Sequence, residues 1–199
     1  MGCGPLDDVV VVIPLRSFTG AKARLAGVID EVARAALARE MAERVVSAAR
    51  PHAVVVVSSA PEVVVWATEL GCRVVDDPGS LNDAAGAGRD WARTHGFARV
   101  VIAHGDLPLA TSLAPVTGDG RAHVVVVVPD HRDDGTPVLS VPADVAFTFA
   151  YGPGSAARHI DEAERVGCGV RIVREPTLQF DVDVAEDLNA LAESGQACP

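Results

Sequence analysis

Lysine is nearly absent from this chain of 199 residues: Lys22 stands alone among 17 basic residues, and all the others are arginine. Aromatic residues are also scarce, at 4%, which removes the stacking platform that holds single-stranded nucleic acid. Acid outweighs base, 27 against 17, and a net charge of −10 disfavours duplex DNA or an anionic membrane as partner. The four cysteines, Cys3, Cys72, Cys168 and Cys198, are scattered without a CxxC pair, so inert reduced thiols are expected. No apolar run approaches the ~20 residues that span a bilayer. Asp7 and Asp8 stand where a signal peptide would carry positive charge, and Leu6 occupies the Ser/Thr position of a myristoylation motif. A soluble cytoplasmic protein with no nucleic-acid or membrane partner is expected.

Hydrophobic residues make up 49% and charged ones 22%, a globular composition. The length suits one domain, residues 1–199, with loose termini at 1–8 and 195–199. Nearly continuous Val/Ile runs at Val9–Ile13, Val54–Val57, Val100–Ile102 and Val124–Val128 read as strands covered on both faces. Helical stretches lie between them. One runs from Asp30 to Arg50, with Val32, Ala36, Met41, Val45 and Ala48 on one stripe and Pro51 at its end. Another spans about Glu62 to Leu70, and a third follows Asn82 and ends near Gly96. The second half predicts a helix from about Ser155 to Val166, short strands near Val170–Val173 and Leu178–Val182, and a last helix from Ala185. This alternation predicts an α/β fold with a mainly parallel sheet and helices on both faces.

Charge is unevenly spread. Arg16, Lys22 and Arg24 fall between Val9 and Gly27 without an acid, whereas six acids fall between Glu175 and Pro199 without a base. In an open α/β sheet, ligands bind beyond the carboxyl ends of the strands, and four polar segments fall at such places. The first, Pro14 to Leu25, follows the first strand; its three cations among small residues suit a triphosphate or form a solvated basic loop. It is not a Walker loop, because GxxxxGK[ST] is missing. The second, Gly105-Asp106-Leu107-Pro108, puts a carboxylate at a strand end, either aimed at a metal or serving a turn. In the third, Asp181-Val182-Asp183, alternate residues of an extended segment point to one side. Two carboxylates so placed repel unless they share a cation, and hard oxygen ligands favour Mg²⁺; a pair of surface acids before a helix is the plainer reading. The fourth joins Asp133-Asp134-Gly135-Thr136 to Tyr151-Gly152-Pro153-Gly154-Ser155-Ala156-Ala157-Arg158-His159. Here a helix start attracts an anion, or Ser155 simply caps the helix while Glu162 faces solvent. Pro153 removes an N–H that a dinucleotide loop would need, which argues against a Rossmann dehydrogenase. His104, His131 and His159 have no metal spacing, and each reads as a satisfied or exposed side chain.

Taken in order, these blocks resemble the guanylyltransferases of coenzyme F420 biosynthesis, which act on phosphoenolpyruvate or 2-phospho-L-lactate. The likeness rests on Ile13–Phe18 with Ala21–Leu25, Gly105–Pro108, Gly135-Thr136, Tyr151–His159, and Asp181–Asp183 with Glu186-Asp187-Leu188. It implies a three-layer, GT-A-like nucleotidyltransferase fold with a mixed sheet, of the nucleotide-diphospho-sugar transferase kind. It further implies GTP as nucleotide, Mg²⁺ as cofactor and the next transferase of the pathway as partner. By this resemblance Asp106, Asp181 and Asp183 hold the metal and are catalytic together with Lys22. Thr136, Gly152 and Ser155 bind the phospho-acid. Pro14, Arg16, Ser17, Lys22, Arg24, Leu81 and Asn82 line the nucleotide. The sequence departs from the family at Arg16 (often Lys), Ser80 (Gly), Asp133-Asp134 (Gly and a hydroxyl residue) and Val184-Ala185 (Thr-Pro). Two other readings stay open: a related nucleotidyltransferase for a sugar phosphate or the molybdenum cofactor, and a non-catalytic GTP-binding carrier.

Overall fold

A computed structural model describes residues 8–117 and 123–193; of the expected loose termini, 1–8 and 195–199, all but Asp8 lie outside the described residues. Seven strands form one sheet: β1 (Val9–Pro14), β2 (Ala53–Val57), β3 (Arg73–Val75), β4 (Arg99–Ala103), β5 (Val124–Val128), β6 (Val138–Pro142) and β7 (Gly169–Ile172). Their spatial order is β3-β2-β1-β4-β6-β5-β7. All pairs are parallel except those of β6, which runs antiparallel to β4 and β5. The expected mainly parallel mixed sheet is therefore present.

Between strands the chain passes through α1 (Glu31–Ala49), α2 (Pro61–Glu69), α3 (Leu81–Thr94), α4 (Ala114–Thr117) and α5 (Ser155–Arg165), and after β7 it forms α6 (Pro176–Gln179) and α7 (Ala185–Glu193). Local chemistry sets their starts. Asp30 caps α1 by accepting the Ala33 N–H at 2.8 Å, and Pro61 opens α2 with the φ a first turn needs. Ser80, which replaces a glycine of the resembling family, caps α3 by accepting the Asp83 N–H at 3.1 Å. Strand residues alternate between two cores. Val11, Ile13, Val54 and Val56 pack on one face with α1 and α2, and Val10, Val12, Val55 and Val57 on the other with α3 and α5. Gly88 lets α3 lie directly on β1, since a Cβ there would sit 2.3 Å from Cγ1 of Val12. None of the helices of the described residues is long and apolar enough to cross a membrane.

Two expectations need correction. The segment Leu178–Val182 is not a strand: Pro176 and the Glu175 carbonyl, which accepts the Leu178 and Gln179 N–H groups, wind it into the single turn α6. Phe180 after it is extended, and residues 180–183 belong to no strand of the sheet. Ser155 is not the cap of α5. Gly154, in the left-handed region at φ 72°, holds that position, and Ser155 is the first helical residue. Strand β6 was not foreseen because prolines flank it; Pro137 and Pro142 stand at its ends, where a missing N–H breaks little.

Candidate active site

Three pieces of chain reach the carboxyl ends of β1 and β4. After Pro14 the chain crosses the sheet edge and makes a short 3-10 turn, Ala23–Leu25, with Lys22 at its start in the left-handed region (φ 52°). After β4, Gly105 and Asp106 turn beneath Leu15. The third piece, Asp181-Val182-Asp183, is held by its middle residue: Val182 is fully buried in an apolar cluster with Leu25, Met41 and Leu191. The expected alternation holds here without a strand, because burying Val182 turns both carboxylates to the same cleft.

Lys22 connects the three pieces. Its ammonium donates to Asp106 Oδ2 at 2.6 Å and to Asp183 Oδ1 at 3.0 Å, and Arg24 Nη1 lies 3.7 Å from Asp183 Oδ2. Burial acts to lower the Lys22 pKa, but the two carboxylates outweigh it and hold the ammonium above its ordinary value. Burial likewise acts to raise Asp106, and Lys22 more than offsets it, holding the carboxyl below the usual range. Asp181 has no such partner. Burial, then the charges of Asp106 and Asp183, push its pKa up to about 6.

Two recesses adjoin here. A cavity of about 210 Å³ is lined by Pro14, Arg16, Ser17, Lys22 and Leu81, and a neighbouring one of about 180 Å³ extends it along Arg16 and Ser80. Arg16 is anchored by donating to the Gly79 carbonyl, and Ser17 donates to Glu62 at the start of α2. On the other side lies a cleft of about 470 Å³ that contains Arg24, Thr136, Gly152, Ser155, Asp181 and Asp183. Leu81, His104 and Asp106 line both sides. Asn82 lines neither of them; its side-chain oxygen accepts the Tyr151 N–H at 2.7 Å and so joins α3 to the loop before α5.

The cleft's loops are organised by carboxylates. Asp130 accepts the N–H groups of Arg132, Asp134 and Gly135 at 2.8–2.9 Å, and a side chain at 135 would collide with it, its Cβ 2.6 Å from Oδ2. Asp134 accepts the Gly154 N–H at 2.9 Å, and its carbonyl accepts that of Ala156. Arg158 donates to the carbonyls of Ala150 and Pro153. Glu162 does not simply face solvent: it accepts the Thr148 N–H at 2.6 Å and pairs with Arg165. Sequence reasoning missed Asp130, Arg132, Arg158 and the capping role of Asp187. Asp187 had a visible signal, an acid in the first turn of a helix four residues after Asp183.

A divalent cation fits part of this arrangement. Asp106 Oδ1 and Asp181 Oδ1 are buried without a hydrogen-bond partner, and hard carboxylate oxygens are the donors Mg²⁺ takes. His131 Nδ1, at 3.7 Å from Asp181 Oδ1, is too distant to satisfy it. Among the described residues no three His, Cys, Asp or Glu side chains are gathered into a ready metal cage. Lys22 stands between two of the three aspartates instead.

This architecture is that of nucleotidyltransferases with the nucleotide-diphospho-sugar transferase fold. A crystal structure of a Desulfovibrio desulfuricans G20 protein assigned to that class matches it with a TM-score of 0.78, covering 94% of this chain and 87% of that one. At 15% identity that likeness is one of fold alone. Sequence similarity goes further. The model of the family described as guanylyl transferase CofC like matches residues 9–197, and the chain belongs to that family. It is 37% identical to the phosphoenolpyruvate guanylyltransferase of Rubrobacter xylanophilus over 197 residues, 94% of this chain and 95% of that protein. It is also 33% identical to the 3-phospho-D-glycerate guanylyltransferase of Phenylobacterium zucineum, covering 88% of this chain and 86% of that one.

Proposed function

We propose that the chain, as one nucleotidyltransferase domain, transfers the GMP unit of GTP onto phosphoenolpyruvate and releases pyrophosphate, a step of coenzyme F420 biosynthesis. Two recesses that meet at Asp106 carry this reading: one is lined by cations and small residues, the other by hydroxyls and a helix start. GTP occupies the first, beside Pro14, Arg16, Ser17, Lys22 and Leu81. The phospho-acid occupies the second, against Thr136, Gly152 and Ser155.

A phosphate oxygen of the acceptor attacks the α-phosphorus of GTP in line. The new O–P bond forms as the bond to the pyrophosphate oxygen breaks. Because that nucleophile is already anionic, no general base is required, and catalysis rests on positioning two polyanions and cancelling their charge. Lys22, Arg16 and Arg24 supply fixed positive charge. The cleft by itself is acidic: Asp106, Asp130, Asp134, Asp181 and Asp183 line it against Arg24 and Arg132, and Lys22 pairs with only Asp106 and Asp183. Asp106, Asp181 and Asp183 would hold Mg²⁺, which supplies further charge neutralisation and orients the phosphates when bound.

The test is direct: purified protein, GTP and Mg²⁺ with phosphoenolpyruvate, 2-phospho-L-lactate or 3-phosphoglycerate in turn, products weighed by mass spectrometry. A guanylylated phosphoenolpyruvate is expected. Pyrophosphate release with none of the acids would refute the transfer reaction. A preference for 3-phosphoglycerate would instead reassign the acceptor.

A further inference from the structure

Behind the two hydroxyls of the acceptor cleft lies a buried histidine that does not line it. His159, on α5, is fully buried. Its Nε2 accepts the backbone N–H of Ala150 at 3.0 Å, so that nitrogen carries a lone pair. In the neutral ring the proton then belongs to Nδ1, which lies 3.1 Å from Thr136 Oγ1 and donates to it. Thr136 Oγ1 is in turn 3.1 Å from Ser155 Oγ, and these two residues are 2% and 1% exposed. The tautomer is built in. Arg158 grips the Ala150 carbonyl through Nε and Nη2, which holds in place the residue whose own N–H meets Nε2. Tyr151 and Phe147 pack around the imidazole with ring centroids at 4.8 and 5.8 Å. Burial, with the nearby charges of Arg158 and His104, lowers the His159 pKa to about 4, which keeps the ring neutral.

Hydrogen counting shows what this arrangement does. Thr136 and Ser155 own two hydroxyl hydrogens, and one of them is spent on the bond between them. With Nδ1–H donating to Thr136, the other hydrogen is left for the cleft, whichever hydroxyl carries it. In the opposite tautomer Nδ1 would accept from Thr136, Thr136 would accept from Ser155, and both hydrogens would be drawn inward. An anionic ligand oxygen would then meet only lone pairs.

We infer that His159 is a positioning residue that fixes the Thr136–Ser155 pair as a hydrogen-bond donor to an anionic oxygen of the acceptor. The inference rests on the acceptor site proposed above. Asparagine and glutamine separate the two ring nitrogens, since the amide nitrogen of Asn overlaps Nδ1 and the amide oxygen of Gln can replace Nε2.

In the full chain with GTP and Mg²⁺, His159→Gln is expected to raise the KM for phosphoenolpyruvate by about tenfold or more, the effect of one hydrogen bond to a charged group. The KM for GTP should stay unchanged. His159→Asn should recover most of that loss, because it keeps the donor to Thr136. Nitrogen NMR of the wild-type protein should show His159 protonated at Nδ1 and bare at Nε2, a readout independent of whether either variant folds. A proton on Nε2, or a glutamine variant with wild-type acceptor KM, would overturn the inference. Ser155→Ala and Thr136→Val set the reference. If they raise the acceptor KM and His159→Gln does not, only the relay fails. If they too leave it unchanged, the acceptor is misplaced and the inference falls with that placement.

Discussion

Removing the Asp187 carboxylate should loosen Asp183, one of the aspartates proposed to be catalytic, without replacing it. That side chain is 4% exposed, and its Oδ2 accepts the N–H groups of Asp183 and Val184 at 2.8 and 2.9 Å. Its Oδ1 accepts from Arg132 at 2.8 Å. Arg132 is 49% exposed, so water screens that pair and its share is only about 0.5 kcal/mol. The backbone bonds end on an ionised, buried acceptor and contribute about 1.5 kcal/mol each. Asp187→Ala should therefore cost about 3 kcal/mol, nearly all of it from N–H groups left without a partner. Asp187→Asn keeps one oxygen toward those groups and should cost about 1 kcal/mol. With a urea slope of about 2 kcal/mol per molar, the unfolding midpoint falls by about 1.5 M for alanine and about 0.5 M for asparagine. Pyrophosphate release, measured below the midpoint, should drop by about tenfold or more in the alanine variant, since a small displacement of Asp183 misaligns the reacting groups. An alanine variant with unchanged midpoint and turnover would refute the reasoning. Equal losses in the two variants would show that the Arg132 pair, not the backbone anchoring, dominates.

Asp106→Asn and Asp183→Asn should abolish turnover while leaving a cooperative thermal transition; wild-type-like pyrophosphate release in either would remove it from the catalytic set. Lys22→Ala should lower kcat/KM for GTP by about a hundredfold, the effect of losing one charged contact in a desolvated site, and unchanged GTP kinetics would count against its role. Acid should destabilise the fold through His159. Its native pKa of about 4 lies below the unfolded value of 6.5, so the unfolded chain binds the extra proton between those values and stability is lost as pH falls from 6.5 to 4. The loss approaches about 3 kcal/mol, with burial first and then Arg158 and His104 opposing protonation, and Glu162 favouring it. Melting temperatures across that range should fall steeply in the wild type and more gently in His159→Gln, and parallel curves would exclude His159 as the cause.

Much of the fold was legible because the strands of its parallel half are buried on both faces and so written as unbroken Val runs. What was hidden has physical causes. Strand β6 is flanked by prolines and its apolar run is broken by Ser140, and α6 borrows the look of a strand from Leu178, Phe180 and Val182. The site's charged residues were visible as local clusters in an acidic chain. Their partnership was not, since the lysine expected along a triphosphate spends its ammonium on two aspartates 84 and 161 positions away. Asp130 was invisible, because it binds backbone N–H groups, which leave no signature in side-chain identity. Asp187 does the same but was signalled by its place in the first turn of a helix.

The reversal of β6 has a consequence for how such a protein can change. The proposed nucleotide side hangs on the parallel strands β1 and β4, with α3 packed against them, whereas the proposed acceptor loops are carried by β6 and by α5, which packs on β5 and β7. The two sides thus rest on different supports and share few residues. Drift at positions 133–136 and 151–155 can alter acceptor choice while the triphosphate end keeps working, which makes the antiparallel half the evolvable part of the molecule.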